Sequence, residues 1–301
     1  MTTAVITGAG SGFGLAFARL AAKKGMNLVL TDVQQDALDA ALAELSETGV
    51  QVAALCGDVS RAEDVQALAD MCMERFGAPH LVINNAGVAH GGLIWEHTQR
   101  DWEWVLGVNL FGVIHGLRIF TPIMLEAARK DPAWQGHMVN VASMAGLLNS
   151  PNMGAYNVSK HAVVSLSETL YQDLALVTEQ VHASVLCPYF VPTGIHLSHR
   201  NRPAALRSEG KPTPSQMIAQ AMSTKAVTSG KVTADDTAQL VFDAVEARQF
   251  YIYTHPQALG IVQTRLEDVI QARNPTDPFS GKPEIGERLR QGLREAMNKA
   301  D

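Results

Sequence analysis

Tyr156 and Lys160 stand four residues apart in the segment Ala155-Tyr156-Asn157-Val158-Ser159-Lys160. On a helix that spacing puts both side chains on one face. A cation beside a phenol favours phenolate and lowers the phenol pKa from about 10 toward neutrality. A tyrosine so placed is a usable general acid/base. Ser143 closes the preceding apolar stretch Val141-Ala142-Ser143. A hydroxyl there can hold the oxygen of a reacting group. On its own, Tyr-x-x-x-Lys also fits a surface pair, so the segment needs its context.

That context opens the chain. Thr7-Gly8-Ala9-Gly10-Ser11-Gly12-Phe13-Gly14 lies between an apolar run, Ala4–Ile6, and a helical pattern over Leu15–Ala22. Glycines at 8, 12 and 14 permit a tight turn and close approach of backbone to a pyrophosphate. The helix N-terminus beyond offers free N–H groups and a partial positive charge. The spacing is GxxxGxG, not GxGxxG. Asp32 ends the next apolar run, and a carboxylate there accepts ribose hydroxyls and repels a 2′-phosphate. Neither Ser11 nor Val33 is basic. NAD is therefore expected in preference to NADP. Asp58-Val59 has two readings, a contact to adenine or an N-cap of the following helix.

The elements that must carry these residues alternate. Strands are expected at 27–30, 51–55, 81–83, 137–141, 181–186 and 250–253. Helices are expected at about 34–47, 62–76, 102–128, 155–178 and 234–247. Short strands apolar on both faces belong to a parallel sheet covered by helices. The pattern predicts a single-domain α/β fold, a Rossmann-type doubly wound parallel sheet with helices on both faces. It spans 1–256, with 257–301 a helical extension broken by Asn274-Pro275 and Asp277-Pro278. Residues 188–232, rich in Pro, Ser, Thr and His, are expected to be a mobile lid with no further core element.

Taken together the motifs resemble the short-chain dehydrogenase/reductase family. The residues that carry the likeness are Thr7-Gly8-x-x-x-Gly12-x-Gly14, Asp58, Asn84-Asn85-Ala86-Gly87, Asn109, Ser143, Tyr156-x-x-x-Lys160 and Pro188 to Thr193. The resemblance implies a catalytic tetrad. Tyr156 is the acid/base and Ser143 positions the carbonyl or alcohol. Lys160 lowers the tyrosine pKa and binds the nicotinamide ribose. Asn109 holds a water linking Lys160 to solvent. Cofactor contacts are implied for Gly8, Ser11, Gly12, Phe13, Gly14, Asp32, Val33, Asp58, Val59, Asn85, Ala86, Gly87, Tyr156, Lys160, Pro188, Val191 and Thr193, the last on the carboxamide. The chain departs from the family at Tyr189, where a small residue is common. That ring either packs on the nicotinamide side of the pocket or faces solvent.

The implied activity is NAD-dependent interconversion of a secondary alcohol and a ketone. The alternatives are an NADP-dependent carbonyl reductase and a non-catalytic NAD-binding regulator. A bulky or apolar substrate is expected from Trp95, Met144, Leu147, Leu148, Met153 and Met217. The long tail resembles a bacterial subgroup acting on bulky secondary alcohols, including lignin-derived aryl alcohols, and covers the pocket of its own or a neighbouring subunit. Lid residues His196, His199, Arg200 and Arg202 either attract an acidic substrate or form solvated loop charge, with Glu209 weighing against the former. His196-x-x-His199 lacks further ligands, so no metal is expected. A homodimer or homotetramer, paired through helices 102–128 and 155–178, is implied by the family.

Composition bounds the rest. A net charge of -6 with no Lys/Arg run is a poor match to nucleic acid. Three scattered cysteines, Cys56, Cys72 and Cys187, make neither a disulfide framework nor a zinc site. With no signal peptide visible and no uninterrupted apolar run of about 18 residues, no membrane span and a cytoplasmic location are expected.

Overall fold

The computed structural model of the chain describes residues 2–208 and 210–298. Seven parallel strands form one sheet in the order β3-β2-β1-β4-β5-β6-β7. They are β1 Thr3–Thr7, β2 Asn27–Asp32, β3 Val52–Cys56, β4 Leu81–Asn84, β5 Gly136–Val141, β6 Val181–Cys187 and β7 Tyr251–Tyr253. The order reverses between β1 and β4, and a doubly wound sheet opens a crevice at that point.

Side-chain alternation sends neighbours on β1 to opposite layers. Ala4 and Ile6 join the core formed with α1 (Gly12–Lys23), α2 (Gln35–Ser46) and α8 (Ala234–Glu246). Val5 joins the other, formed with α3 (Ala62–Phe76), α5 (Gly112–Lys130) and α6 (Gly154–Val177). Both faces are thus covered, which is why the strands are mainly apolar on both sides.

Several boundaries differ from the sequence expectation, each for a local reason. The first helix starts at Gly12, so Gly12 and Gly14 lie in its first turn. Strand β5 ends at Val141, and Ser143 lies two residues beyond, capping a short turn through Ala145 N–H at 3.1 Å. The expected helix 102–128 begins earlier, as α4 Gln99–Leu106, and passes through a π-turn at Gly107–Phe111 into α5. By length and composition Gln99–Lys130 is apolar enough to cross a membrane. Here Val113, Leu117, Phe120 and Met124 on this stretch are core residues against the sheet.

The lid is more regular than its composition predicts. It holds a helix, α7, over Pro214–Thr228. Thr213 accepts from Gln216 N–H while the Gln216 side chain accepts from Thr213 N–H, and Pro214 occupies the first turn. That is a capping box followed by a proline that helix geometry favours. Glu209, in the same lid, lies outside the described residues. Beyond β7, α9 (Leu259–Ile270) packs Val262 into the core, and α10 (Pro283–Met297) lies against α7. The tail thereby covers the cleft of its own chain.

Candidate active site

A cleft of about 1370 Å³ runs along the C-terminal ends of the central strands. The glycine loop forms one end. Gly8 (φ +65°) and Gly12 (φ +53°) adopt left-handed backbone that favours glycine. A Cβ on Gly14 would sit 2.0 Å from the Gly8 carbonyl oxygen, so helix and loop approach as closely as they can. The Asn85 side chain donates to the carbonyls of Thr7 and Gly8 at 2.8 and 3.2 Å. The Thr7 hydroxyl accepts N–H bonds from Asn85 and Ala86 at 2.9 and 3.0 Å. The turn after β4 is thus locked to the loop after β1. Deeper in, Asn84 donates to Asn140 at 2.8 Å and Asn140 to Ser167 at 3.0 Å.

Asp32 closes β2 beside the loop. Its two oxygens accept Gly10 N–H at 2.9 Å and Gln34 N–H at 3.0 Å. Asp58 accepts Ser60 N–H at 2.9 Å, while α3 starts only at Ala62 behind Arg61. Asp58 is therefore no N-cap, and it remains on the cleft wall with Val33 and Val59. Ser11, Phe13, Gly87, Pro188, Val191 and Thr193 line the same cleft. The Thr193 side chain stands over Gly12, where an added Cβ would lie 3.3 Å away. Glycines that admit no side chain, a bare helix N-terminus and a carboxylate at the end of β2 fit a dinucleotide.

The reacting end brings together the four residues the sequence nominates. Tyr156 and Lys160 share one face of α6 and are both buried. Lys160 Nζ lies 5.8 Å from the Tyr156 ring centre and donates to the Val141 carbonyl at 2.9 Å. Burial lowers its pKa to about 8. Burial pushes the Tyr156 phenol up, opposed in part by the Ser143 hydroxyl. The expected downward shift from Lys160 is thus not the balance here. At 5.8 Å from the ring centre, the ammonium does not outweigh removal of the phenol from water.

Asn109 sits in the π-turn, fully buried. Its amide donates to the Val88 carbonyl at 2.9 Å and to Ser159 at 3.0 Å, and its oxygen accepts Val88 N–H at 2.8 Å. It clamps the irregular segment that leads out of Gly87. A Cβ on Gly87 would be 3.5 Å from Asn109 Oδ1 and 3.6 Å from Lys160 Nζ, so all three meet.

Other expectations divide. Tyr189 packs on Phe190 with the rings tilted and their centres 4.1 Å apart, and meets His255 at 5.8 Å. It lines the cleft and is also partly exposed, so it joins features of both readings. Arg202 follows neither: it is buried and paired with Asp101 at 2.6 Å. Among the described residues no three His, Cys, Asp or Glu side chains gather as a metal site. Trp95 is largely exposed, whereas Met144 and Leu148 are buried on the cleft wall, which half-buried Met153 also lines. Sequence reasoning missed the contribution of α9 and of the segment after it, including Ile261, Arg265 and Phe279. Helical periodicity marked the tail, but nothing local told which way it folds.

The family model described as short chain dehydrogenase matches residues 2–203. A CLA biosynthesis dehydrogenase/reductase of Lactiplantibacillus plantarum is 34% identical over 268 residues, covering 88% of this chain and 92% of that protein. A C alpha-dehydrogenase of a Sphingobium species is 30% identical over 285 residues, covering 94% and 90%. The crystal structure of a short chain dehydrogenase/reductase from Burkholderia phymatum in complex with NAD is 53% identical, with a TM-score of 0.90 over 93% of this chain and 98% of that one. Other similar structures hold NADPH or an NADP derivative. With its glycine loop, strand order and tyrosine–lysine helix matched along most of its length, the chain belongs to the short-chain dehydrogenase/reductase family.

Proposed function

We propose that the protein is an NAD-dependent oxidoreductase interconverting a secondary alcohol and a ketone. The observation that carries the reading is the buried pair Tyr156 and Lys160 on one face of α6, lining with Ser143 a cleft whose other end is the glycine loop and Asp32. NAD preference rests on Asp32 and on the absence of a basic residue at Ser11 and Val33.

The cofactor, when bound, supplies hydride exchange with the carbinol carbon. The chain does the rest. Ser143 holds the substrate oxygen by hydrogen bond. Tyr156 gives a proton to that oxygen in reduction and takes it in oxidation. The buried phenol starts protonated, which suits proton donation. In oxidation the phenol must first release its proton, and the Lys160 cation behind it favours the resulting phenolate. Asn109 keeps Lys160 and Gly87 in register through Val88 and Ser159. Met144, Leu148 and Met153 exclude water around the reacting carbon and fit a bulky apolar substrate. Exposed Phe111 and Val158, on the helices the family pairs, support assembly with a second copy.

The test is NADH formation from NAD with a panel of aliphatic, terpenoid, steroid and aryl secondary alcohols, alongside Tyr156→Phe. Turnover is expected in the wild type and a loss of ~10²–10⁴-fold in the variant, with NADH binding retained. Turnover that survives Tyr156→Phe sinks the proposed role of the phenol. Silence across the panel despite NADH binding shifts the reading toward a regulator.

A further inference from the structure

Arg265 lies on α9 and lines the substrate end of the cleft, half-buried. Among the described residues it has no carboxylate partner and no hydrogen bond. A guanidinium withdrawn from water is costly unless an anion or acceptor meets it. The acids nearby are already engaged. Asp268, one turn further along α9, is buried and takes Arg273 Nε at 3.0 Å and Thr276 N–H at 2.9 Å. Asp277 faces Arg290 at 3.9 Å. His161, on α6, offers nothing either: burial pushes its ring toward neutrality and the Arg265 charge adds to that push. Lys282 and Arg288 line the same side of the cleft and also lack a carboxylate. A chain of net charge -6 thus sets Arg265, half-buried and without a carboxylate, on the cleft wall, with exposed Lys282 and Arg288 at its rim.

The apolar part is continuous with the reacting end. Met144, Leu148 and Met153 stand near Ser143, and Ile218 and Met222 of α7 continue the wall. A ligand filling it would place an apolar body between Tyr156 and the tail. Displaced water would leave Arg265 bare unless the ligand brought its own charge.

We propose that Arg265 recognises an oxyanion, a carboxylate or a phosphate, at the far end of the substrate. The substrates are then amphipathic secondary alcohols or ketones with an anionic terminus. The assignment rests on the dehydrogenase reading for the chemistry at Tyr156, but not for the anion site itself. A guanidinium fork grips either oxyanion with two parallel N–H bonds. Lys282 and Arg288 add attraction at the rim.

The test has a binding arm and a turnover arm, both on the full chain loaded with NAD. In the first, dodecanoate, dodecyl phosphate and methyl dodecanoate are titrated calorimetrically below their aggregation limits. At least one anion is expected to bind ~10–100-fold more tightly than the ester, the worth of charged hydrogen bonds. The tighter anion tells carboxylate from phosphate. Arg265→Gln should erase that ratio while leaving ester affinity unchanged, and Arg265→Lys should restore part of it, which a folding defect would not do. Equal affinity for anion and ester, or a ratio indifferent to Arg265→Gln, overturns the proposal. In the second arm, ricinoleate and methyl ricinoleate are compared as substrates, with the advantage of the acid expected in KM. Neutral alcohols turned over without anion discrimination leave the dehydrogenase reading standing and refute the anion site. Anion discrimination in binding with no turnover of any alcohol does the reverse.

Discussion

Asp101 and Arg202 meet at 2.6 Å, both buried, although 101 positions separate them in the chain. Asp101 belongs to the first turn of α4 and completes a capping box with Thr98. Its other oxygen takes Arg202 and His90, the latter at 3.2 Å. The Arg202 guanidinium also lies over the Trp104 ring at 5.0 Å. A second carboxylate does parallel work nearby: Glu96 accepts from the hydroxyls of Thr213 and Ser215 at the start of α7. The loop after β4 and the first turn of α4 therefore each hold the substrate lid at one point. The lid is anchored by charge as well as by apolar packing.

Asp101→Asn is expected to destabilise the protein by about 3–5 kcal/mol, because Arg202 is left buried without its anion. Urea unfolding measures this. A double change, Asp101→Asn with Arg202→Met, should recover much of the loss. The pH dependence follows from the same site. Burial alone would raise the Asp101 pKa, but hydrogen bonds from His90, Thr98 and Arg202 outweigh it and hold the carboxyl far below its usual 3.8. A depressed folded-state pKa gives stability above the unfolded value, lost as pH falls below it. Wild type and Asp101→Asn should converge on acidification. A gap that persists at low pH refutes the assignment.

Lys160 costs stability at the pH where it serves chemistry. Burial lowers its pKa from 10.5 to about 8. The unfolded chain therefore holds more protons than the folded one between those values, and stability rises with pH through that window. Below about pH 8 the full penalty stands, of order 3 kcal/mol. Lys160→Met should raise the cofactor-free melting temperature at neutral pH while abolishing turnover. Its advantage over wild type should shrink from pH 8 upward. A variant no more stable at neutral pH shows that the bond to the Val141 carbonyl outweighs desolvation.

Much of this site is legible in the sequence because its geometry is local. Tyr156 and Lys160 share a helix face by spacing alone, and Gly8 to Gly14 form a loop by glycine chemistry alone. The central strands follow because both faces are apolar. Residues 188–232 were harder. Their prolines and polar residues read as a break, yet Thr213-Pro214-Ser215-Gln216 carries a helix-start signal that locates α7. Arg202 reads from sequence as a lid cation, for an acidic substrate or for solvent, because its partner lies 101 positions away and no local pattern reports that. The π-turn at Asn109 was hidden by a helical pattern that continues on both sides. The upward shift at Tyr156 was missed because burial opposes a lysine whose presence the spacing does reveal.

Gly14→Ala should disrupt the loop far more than its size suggests. The new methyl would sit 2.0 Å from the Gly8 carbonyl, which is backbone held by Asn85. A loss of about 3 kcal/mol or more is expected, together with loss of NADH binding. Gly260→Ala on α9 is the control, since an added Cβ there meets nothing within 4 Å. It should stabilise by up to ~1 kcal/mol. Thermal unfolding of both variants decides, and a benign Gly14→Ala disproves the close packing of helix on loop.

Asp32 should set cofactor choice by charge. Its oxygens are fixed by the N–H groups of Gly10 and Gln34 at 2.9 and 3.0 Å, so the carboxylate does not swing aside. A ribose hydroxyl can donate to the lone pairs left over. A 2′-phosphate would meet a fixed negative charge with no cation at Val33 or Ser11 to offset it. NADH should bind at least ~10-fold more tightly than NADPH, the scale of one charged hydrogen bond gained or lost. Asp32→Asn keeps an acceptor for backbone N–H but removes the charge, and should narrow the gap chiefly by improving NADPH. Adding Val33→Arg should carry preference over to NADPH. Fluorescence titration of the two reduced cofactors against each variant reads these shifts directly. Equal affinity in the wild type would remove Asp32 from the account of specificity and leave the pyrophosphate loop as the main holder of either cofactor.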